Sequence, residues 1–467
     1  MKKICLYARA ERMEAFAKMY EIAKEVECVY IVQNSREEKF VANYVPKNKI
    51  YNVTKFFQEN WKNHTLLDSI DFKIIEEKYN IESIWSLLYT DRYLIKYDYN
   101  ICVKYIKLHI AFAEFFFNKE KPDVFADEDI SVFSSYIFYK IYSTLGCKLV
   151  GFSAPRNMAT SKVLYTNNEL CYYEEIDKYY QNEDVNSKEI KEAKTIIDDI
   201  IKNNTKPEYM LVEGKKPVLK DFFKGIGKFI IHKYIKNKEK YDYMREMRHK
   251  VILSNALNIV RYNKQKRYYS KPKEGEKFIL FPLHFEPESA TLVKAFNYEN
   301  QLYTASLIAK NLPGDCILYV KEHYARVGHR KMLFYKELSK MLNVKIIDPW
   351  IDSHALIQKA EAVIALTSTV GWESLIFRKP VFVLGDVFYD KFKYCYKIDG
   401  FNALSNKIKS GIKSFNEIPE DEYQNEFSKY FASYLKAMYD GNFVINKNVN
   451  NENVELLYKV ILKNINN

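Results

Sequence analysis

Glycine and proline are scarce, 13 and 12 among 467 residues, while 48% of the chain is hydrophobic. That composition excludes collagen-like repeats and low-complexity disorder. Cysteine is equally thin. The seven (Cys5, Cys28, Cys102, Cys147, Cys171, Cys316, Cys395) are odd in number and scattered, with no C-x-x-C. They build neither a disulfide framework nor a zinc site, and they suit a reducing cytoplasm. Long uncharged runs are missing too, and MKKICLYARAERMEAF returns to charge after a few apolar residues, so neither a membrane span nor a signal peptide is expected. There is no internal repeat.

What is present is length and unevenly placed charge. At roughly 100–200 residues per domain the chain predicts two or three domains, each with its own core. The formal net charge is +12, from 72 Lys and Arg against 60 Asp and Glu. Residues 215–273 hold 18 of the basic residues and only four acids (Asp221, Glu239, Asp242, Glu246), a net +14, which leaves the rest of the chain at −2. Phe222, Phe223, Ile226, Phe229, Ile230 and Ile235 recur there at near-helical spacing, a basic amphipathic pattern suited to an anionic membrane surface. No nucleic-acid motif accompanies it, and no nucleic-acid partner is expected.

The first thirty residues read strand, helix, strand: KICLYA, Arg12 to Val26, CVYIVQN. PDVFADED and CKLVGF are further strands separated by a helix closed at Gly146, and a charged helix near 182–204 is expected to end a first domain spanning 1–205. A basic helical linker follows over 206–275. KFILFPLHF, CILYVKEH, VKIIDPW, AVIALTS and PVFVLGD then alternate with helical stretches, which predicts an open parallel sheet over 276–415, with helices alone from 416 to 467.

Open parallel sheets bind ligands at the carboxyl ends of their strands, where loop amides and helix N-termini point. Leaving those ends in the second half are His284, Glu286 and Glu288; Lys321, Glu322 and His323; Asp348 and Trp350; Thr367, Ser368 and Thr369; and Asp386 and Tyr389. The hydroxyls of TSTVGWES, with Gly371 permitting close approach, suit a phosphate, although an ordinary Ser/Thr helix cap has the same pattern. Glu373 lies off the capping-box spacing and is free to accept from a sugar hydroxyl. Lys321 and His323 supply positive charge and a donor, or form a plain surface pair. In the first half Asp127, Glu128 and Asp129 cluster at a strand end, where adjacent carboxylates can poise one another as a general base; a solvated turn capping the next helix is the alternative. The D-x-D-like spacing comes without further ligands, so no metal is expected.

These residues resemble the bacterial capsular-polysaccharide biosynthesis family of glycosyltransferases, which includes transferases of the acid sugar Kdo. The match rests on YTDRYL at Asp91-Arg92, DVFADEDIS followed by SAPR at Arg156, FPLHFEPES, and VKEHYARVGHRK leading to LTSTVGWESLIFRKPVFVLGDVFYD. It implies an α/β GT-B fold: two Rossmann-like domains across a cleft. The His and Ser/Thr motifs of the related bacterial sialyltransferases and polysialyltransferases map onto His323 and Ser368-Thr369, which implies a CMP-sugar donor. The family usually has Pro after that histidine, where Tyr324 stands, and Gly after its acidic pair, where Asp129 stands.

The function this implies is transfer of a Kdo- or sialic-acid-like sugar from a CMP donor to a capsular or other surface glycan or glycolipid. Lys321, His323, Ser368, Thr369 and Glu373 would hold the nucleotide, with His284 and Glu288 touching donor or acceptor. Glu128 or Asp127 would act as base and His323 as a catalytic group, with no cofactor besides the donor. The expected location is cytoplasmic, on or near the inner membrane face. A teichoic-acid-type glycerol- or ribitol-phosphate transferase and a non-enzymatic basic binding protein are the alternatives.

Overall fold

The computed structural model describes residues 1–156, 162–170, 172–205, 216–231, 240–246, 248–324, 327–442 and 449–466. The chain divides into two units. Unit one comprises Met1–Tyr173, Lys236–Arg248 and Met438–Asn467; unit two comprises Glu174–Ile235 and His249–Ala437.

In unit one, β1 (Lys3–Tyr7), β2 (Glu27–Val32), β3 (Ile50–Asn52), β4 (Val124–Glu128) and β5 (Lys148–Ser153) run parallel. β6 (Lys162–Thr166) and the two-residue β14 (Tyr439–Asp440) close one edge antiparallel. The order is β14-β6-β5-β4-β1-β2-β3. The chain builds outward from β1 through β2 to β3, then returns to lay β4 on the other side of β1. That reversal is the topological switch point, where neighbouring loops diverge and leave a crevice.

Unit two repeats the plan with β7 (Tyr269–Ser270), β8 (Phe278–Pro282), β9 (Ile317–Lys321), β10 (Val344–Ile347), β11 (Ala362–Ala365), β12 (Val381–Val383) and β13 (Cys395–Lys397), all parallel. Their order, β13-β12-β11-β8-β9-β10-β7, puts its switch point between β8 and β11. The central strands are buried almost throughout, which is why they read as unbroken apolar runs. Two Rossmann-like α/β units are the fold class the sequence predicts.

The expected domain boundaries differ from the observed units. The helix Ser187–Asn203, expected to end the first domain, packs in unit two on the helix Glu420–Lys436, as does the preceding helix Glu174–Gln181. Ala193, Ile197 and Ile200 are buried, and Tyr180 meets Tyr430 edge to face at 4.9 Å. The stretch expected to be one linker is shared: Tyr243 is buried in the core of unit one, whereas His249 onward belongs to unit two. The tail divides as well. Glu420–Lys436 stays in unit two, where Phe431 stacks on fully buried Trp372 at 5.5 Å. The helix Asn451–Asn466 sits in unit one, burying Val454, Leu457 and Ile461 in a core shared with Phe16 and Val150. The tail, expected to be all helix, also supplies β14.

Candidate functional site

At the switch point of unit one, Arg9 leaves the carboxyl end of β1 beside Asp127 and Glu128, which end β4. Arg9 is buried, with Nη2 2.8 Å from Glu128 Oε1 and Nε 3.7 Å from Asp127 Oδ1. Nη2 also donates to Ser131 and Ser135, at 3.3 and 3.2 Å. Arg12 approaches the other Glu128 oxygen at 3.5 Å. Asp127 is fully enclosed: Ser135 Oγ donates to Oδ2 at 2.6 Å and the Glu128 amide to Oδ1 at 2.8 Å. Burial pushes its carboxyl up to about 7 against the pull of Arg9, with the Glu128 charge adding to the rise. Burial disfavours the Arg9 charge, but Asp127 and Glu128 more than offset this and raise its pKa.

The two carboxylates therefore differ in access. The Glu128 side chain retains 22% of its surface, and that of Asp127 only 1%. Asp91 supports the crevice from below: Oδ2 accepts from Phe133 N at 3.0 Å, the first amide of the helix Phe133–Thr144, and from the Tyr243 hydroxyl at 3.3 Å. Oδ1 accepts from Tyr93 N and Leu94 N. Asp91 is thus a buried clamp that joins these segments by hydrogen bonds.

In unit two the switch point lies between His284, after β8, and Thr367-Ser368, after β11. Thr367 N donates to His284 Nε2 at 3.2 Å, which leaves the ring proton on Nδ1. Burial, helped by the nearby His323 and Arg330, lowers the His284 pKa to about 3, so the ring is neutral at physiological pH. Its backbone amide donates to Gln301 Oε1 at 2.7 Å and its carbonyl accepts from Arg330 Nη2. His284 thus ties the two strand ends together. Glu288 starts the short helix Ser289–Leu292, where its carbonyl accepts from Thr291 and Leu292.

Lys321 ends β9, buried, with Nζ donating to the Pro349 carbonyl at 3.1 Å. Burial lowers it to about 8 against the opposing charges of Asp352, Glu322, Glu373 and Asp348. Glu322, fully buried, accepts from Arg330 Nε at 3.1 Å, from the Tyr335 hydroxyl at 2.5 Å and from His323 N at 2.9 Å. The His323 ring is half-buried and stacks on Tyr324, centroids 4.7 Å apart, with Phe285 edge-on at 6.3 Å. The tyrosine standing where the family has proline therefore braces the ring. Beside it Phe222, Asn255, Asn258, Phe285, Tyr324 and His329 line a cavity of about 370 Å³.

Ser368 caps the helix Thr369–Ile376, its Oγ accepting from Val370 N at 3.1 Å, so the plain capping role is realised at this serine. Thr369 opens the helix. Gly371, expected to give a ligand room, instead gives room to Tyr389. That hydroxyl donates to the Ser368 carbonyl at 2.5 Å, and a β-carbon on Gly371 would lie 2.2 Å from it. Gly371→Ala should consequently lower stability by about 1–3 kcal/mol, read as a drop in the thermal midpoint of unfolding. Glu373 is buried in the next turn, and among the described residues neither carboxylate oxygen has a hydrogen-bond partner. His354 Nε2 stands 3.5 Å from one of them.

Lys321, Ser368, Thr369 and Glu373 thus belong to one sheet edge, with His284 as its brace and His323 on the neighbouring loop. Arg9, Arg330 and His354 are absent from the sequence-based selection. Arg9 follows the carboxyl end of β1 much as Lys321 ends β9, so its strand-end position is a signal that the sequence carries. Among the described residues no group of three or more His, Cys, Asp or Glu is placed to hold a metal ion.

No curated protein matches this chain at a significant level. Solved structures with a similar arrangement include two described as Thermosulfurimonas dismutans KpsC, a beta Kdo 2,7 transferase and a beta Kdo 2,4 transferase. The first is 12% identical, covers 76% of this chain and 88% of its own, and has a TM-score of 0.37. The second is 14% identical, covers 69% and 82%, and has a TM-score of 0.33. The Staphylococcus aureus MnaA–UDP co-structure is 16% identical, covers 93% and 94%, and has a TM-score of 0.28. Residues 221–392 match the model of the family described as capsule polysaccharide biosynthesis protein. The resemblance carried by the motifs of the second half is thereby borne out: over residues 221–392 the chain is similar to the capsule polysaccharide biosynthesis protein family.

Proposed function

We propose that the chain is a glycosyltransferase moving an acidic sugar, of Kdo or sialic-acid type, from a CMP-activated donor to a hydroxyl of a surface glycan or glycolipid. One observation carries the reading. Inside the family-matched segment, a buried lysine and a buried carboxylate with no hydrogen-bond partner among the described residues accompany the strand ends of the unit-two sheet. A buried polar group without a partner is costly unless a ligand supplies one. Glu373 accepts hydroxyl donors from the nucleotide sugar. Lys321 meets the phosphate, and the positive end of the dipole of the helix Thr369–Ile376 favours the same charge. His323 donates to the same anion, and Phe285, Tyr324 and Asn258 offer the donor sugar flat and polar walls. The choice of cytidine rests on the motif resemblance at His323 and Ser368-Thr369.

In the reaction the acceptor oxygen bonds to the anomeric carbon as that carbon's bond to the phosphate oxygen breaks. CMP leaves with the electron pair, and Lys321 stabilises the charge it gains. Glu128 takes the acceptor's proton, being the carboxylate of the pair that solvent reaches, and Arg9 fixes its orientation. Asp127 lies beneath and positions Arg9. The proposal invokes no metal and no further cofactor.

Thermal shifts with CMP, UDP and GDP test the donor class: CMP should stabilise the chain most, and a larger shift with UDP or GDP overturns the assignment. CMP affinity should weaken as pH rises through about 8, because Lys321 then gives up its proton and its charge. Lys321→Met should bind weakly throughout and lack that dependence. Phosphate retained in the product would identify a polyol-phosphate transferase instead.

A further inference from the structure

Among the described residues of the basic segment, the helix Leu219–Ile230 leaves its outer side exposed. In Leu219–Ile230 no residue is fully buried. At 100° per residue the helix divides into three lanes. Phe222, Gly225, Ile226 and Phe229 share the inner lane and are half-buried, with a β-carbon on Gly225 falling 2.6 Å from that of Ala256. Phe222 also lines the cavity beside Tyr324. Leu219, Phe223 and Ile230 fall together in the second lane, and all three are exposed, Leu219 by 61% and Phe223 by 66%. Lys220, Lys224 and Lys228, four residues apart, form the third lane, also exposed. Ile231 continues the apolar exposure past the helix end.

Single exposed apolar side chains are unremarkable, but an aligned lane of large ones beside a lane of like charge marks an interaction surface. We propose that this helix lies in the headgroup region of an anionic bilayer, with Leu219, Phe223 and Ile230 inserted and Lys220, Lys224 and Lys228 among the lipid phosphates. Charge selects this occupant. The segment around the helix holds a net +14 in a chain otherwise near neutral, and a protein partner would not need three lysines parallel to the apolar lane. The sequence pattern treats all six apolar residues as one face; Ile235, the last of them, lies outside the described residues. The packing separates Phe222, Ile226 and Phe229, which hold the helix to unit two, from Phe223 and Ile230, which do not.

The test is co-sedimentation of the full chain with phosphatidylcholine vesicles, with and without phosphatidylglycerol, at low and high salt. Binding should require the anionic lipid and weaken with salt. Replacing Lys220, Lys224 and Lys228 together by Gln should lower partitioning on the order of 100-fold, and Phe223→Ser with Ile230→Ser on the order of 10-fold or more. Because these side chains are exposed, the variants should unfold at the wild-type temperature. A Phe223→Trp variant reports insertion directly, through a blue-shifted emission quenched by brominated lipid. Equal binding to neutral vesicles, wild-type binding by both variants, or an unshifted emission from the Phe223→Trp variant overturns the proposal. So does a dimer that dissociates in the Phe223→Ser, Ile230→Ser variant, which would make the lane a surface for a second copy.

Discussion

Glu128→Gln should lower the turnover of glycosyl transfer by roughly 10²- to 10⁴-fold, the usual contribution of a general base, while leaving CMP affinity unchanged. The amide keeps the shape and can still accept from Arg9 Nη2, now 2.8 Å from Oε1, but it cannot take a proton. Asp127→Asn should act differently. Asn can still accept from Ser135, and the change removes a buried carboxyl already pushed up to about 7. Its effect should appear as a shifted pH profile and a weaker hold on Arg9, with turnover partly kept. The sign follows from the raised value: wild type favours protonated Asp127 in the fold, so this group's contribution to stability is greatest at low pH and falls as pH rises from the ordinary carboxylate range through about 7. Steady-state kinetics of both variants across pH decide the assignment. Full loss in Asp127→Asn with activity kept in Glu128→Gln would make Asp127 the base.

Arg330→Met should destabilise unit two by about 3–5 kcal/mol, the cost of breaking a buried ion pair from one side. The guanidinium is buried, pairs with Glu322 and Glu286, and donates to the His284 carbonyl. Without it the fully buried Glu322 side chain keeps, among the described residues, the neutral donors of the Tyr335 hydroxyl and the His323 amide. The double replacement Arg330→Met with Glu322→Leu should recover part of the loss, since no charge is then stranded. Denaturant unfolding of the single and double variants gives the coupling; a double variant no better than Arg330→Met would show that Glu322 is not the group left stranded.

The sheet of unit two was legible because β8, β9 and β11 are buried on both sides and therefore appear as apolar runs such as KFILF and AVIAL. β3, β13 and β14, two or three residues each, are too short to carry a period and appear only through their pairing. The helix Ser187–Asn203 illustrates a different limit. Its amphipathic pattern shows that one side is covered but not by what, and its partner helix Glu420–Lys436 lies in a distant part of the chain. Lys321, Ser368, Thr369 and Glu373 could be placed at the carboxyl ends of one sheet because strand ends are a physical address. The brace role of His284 and the Tyr389 hydroxyl occupying the space at Gly371 could not, because both depend on contacts between distant stretches.

The chain passes between its two units four times, at about residues 173, 235, 248 and 437. A recombination event, natural or engineered, that moved one unit into a relative would therefore have to transfer several separate stretches at once. A single crossover at the point the composition suggests, near residue 205, would separate Glu174–Gln181 and Ser187–Asn203 from Glu420–Lys436 and strand Tyr243 away from Asp91.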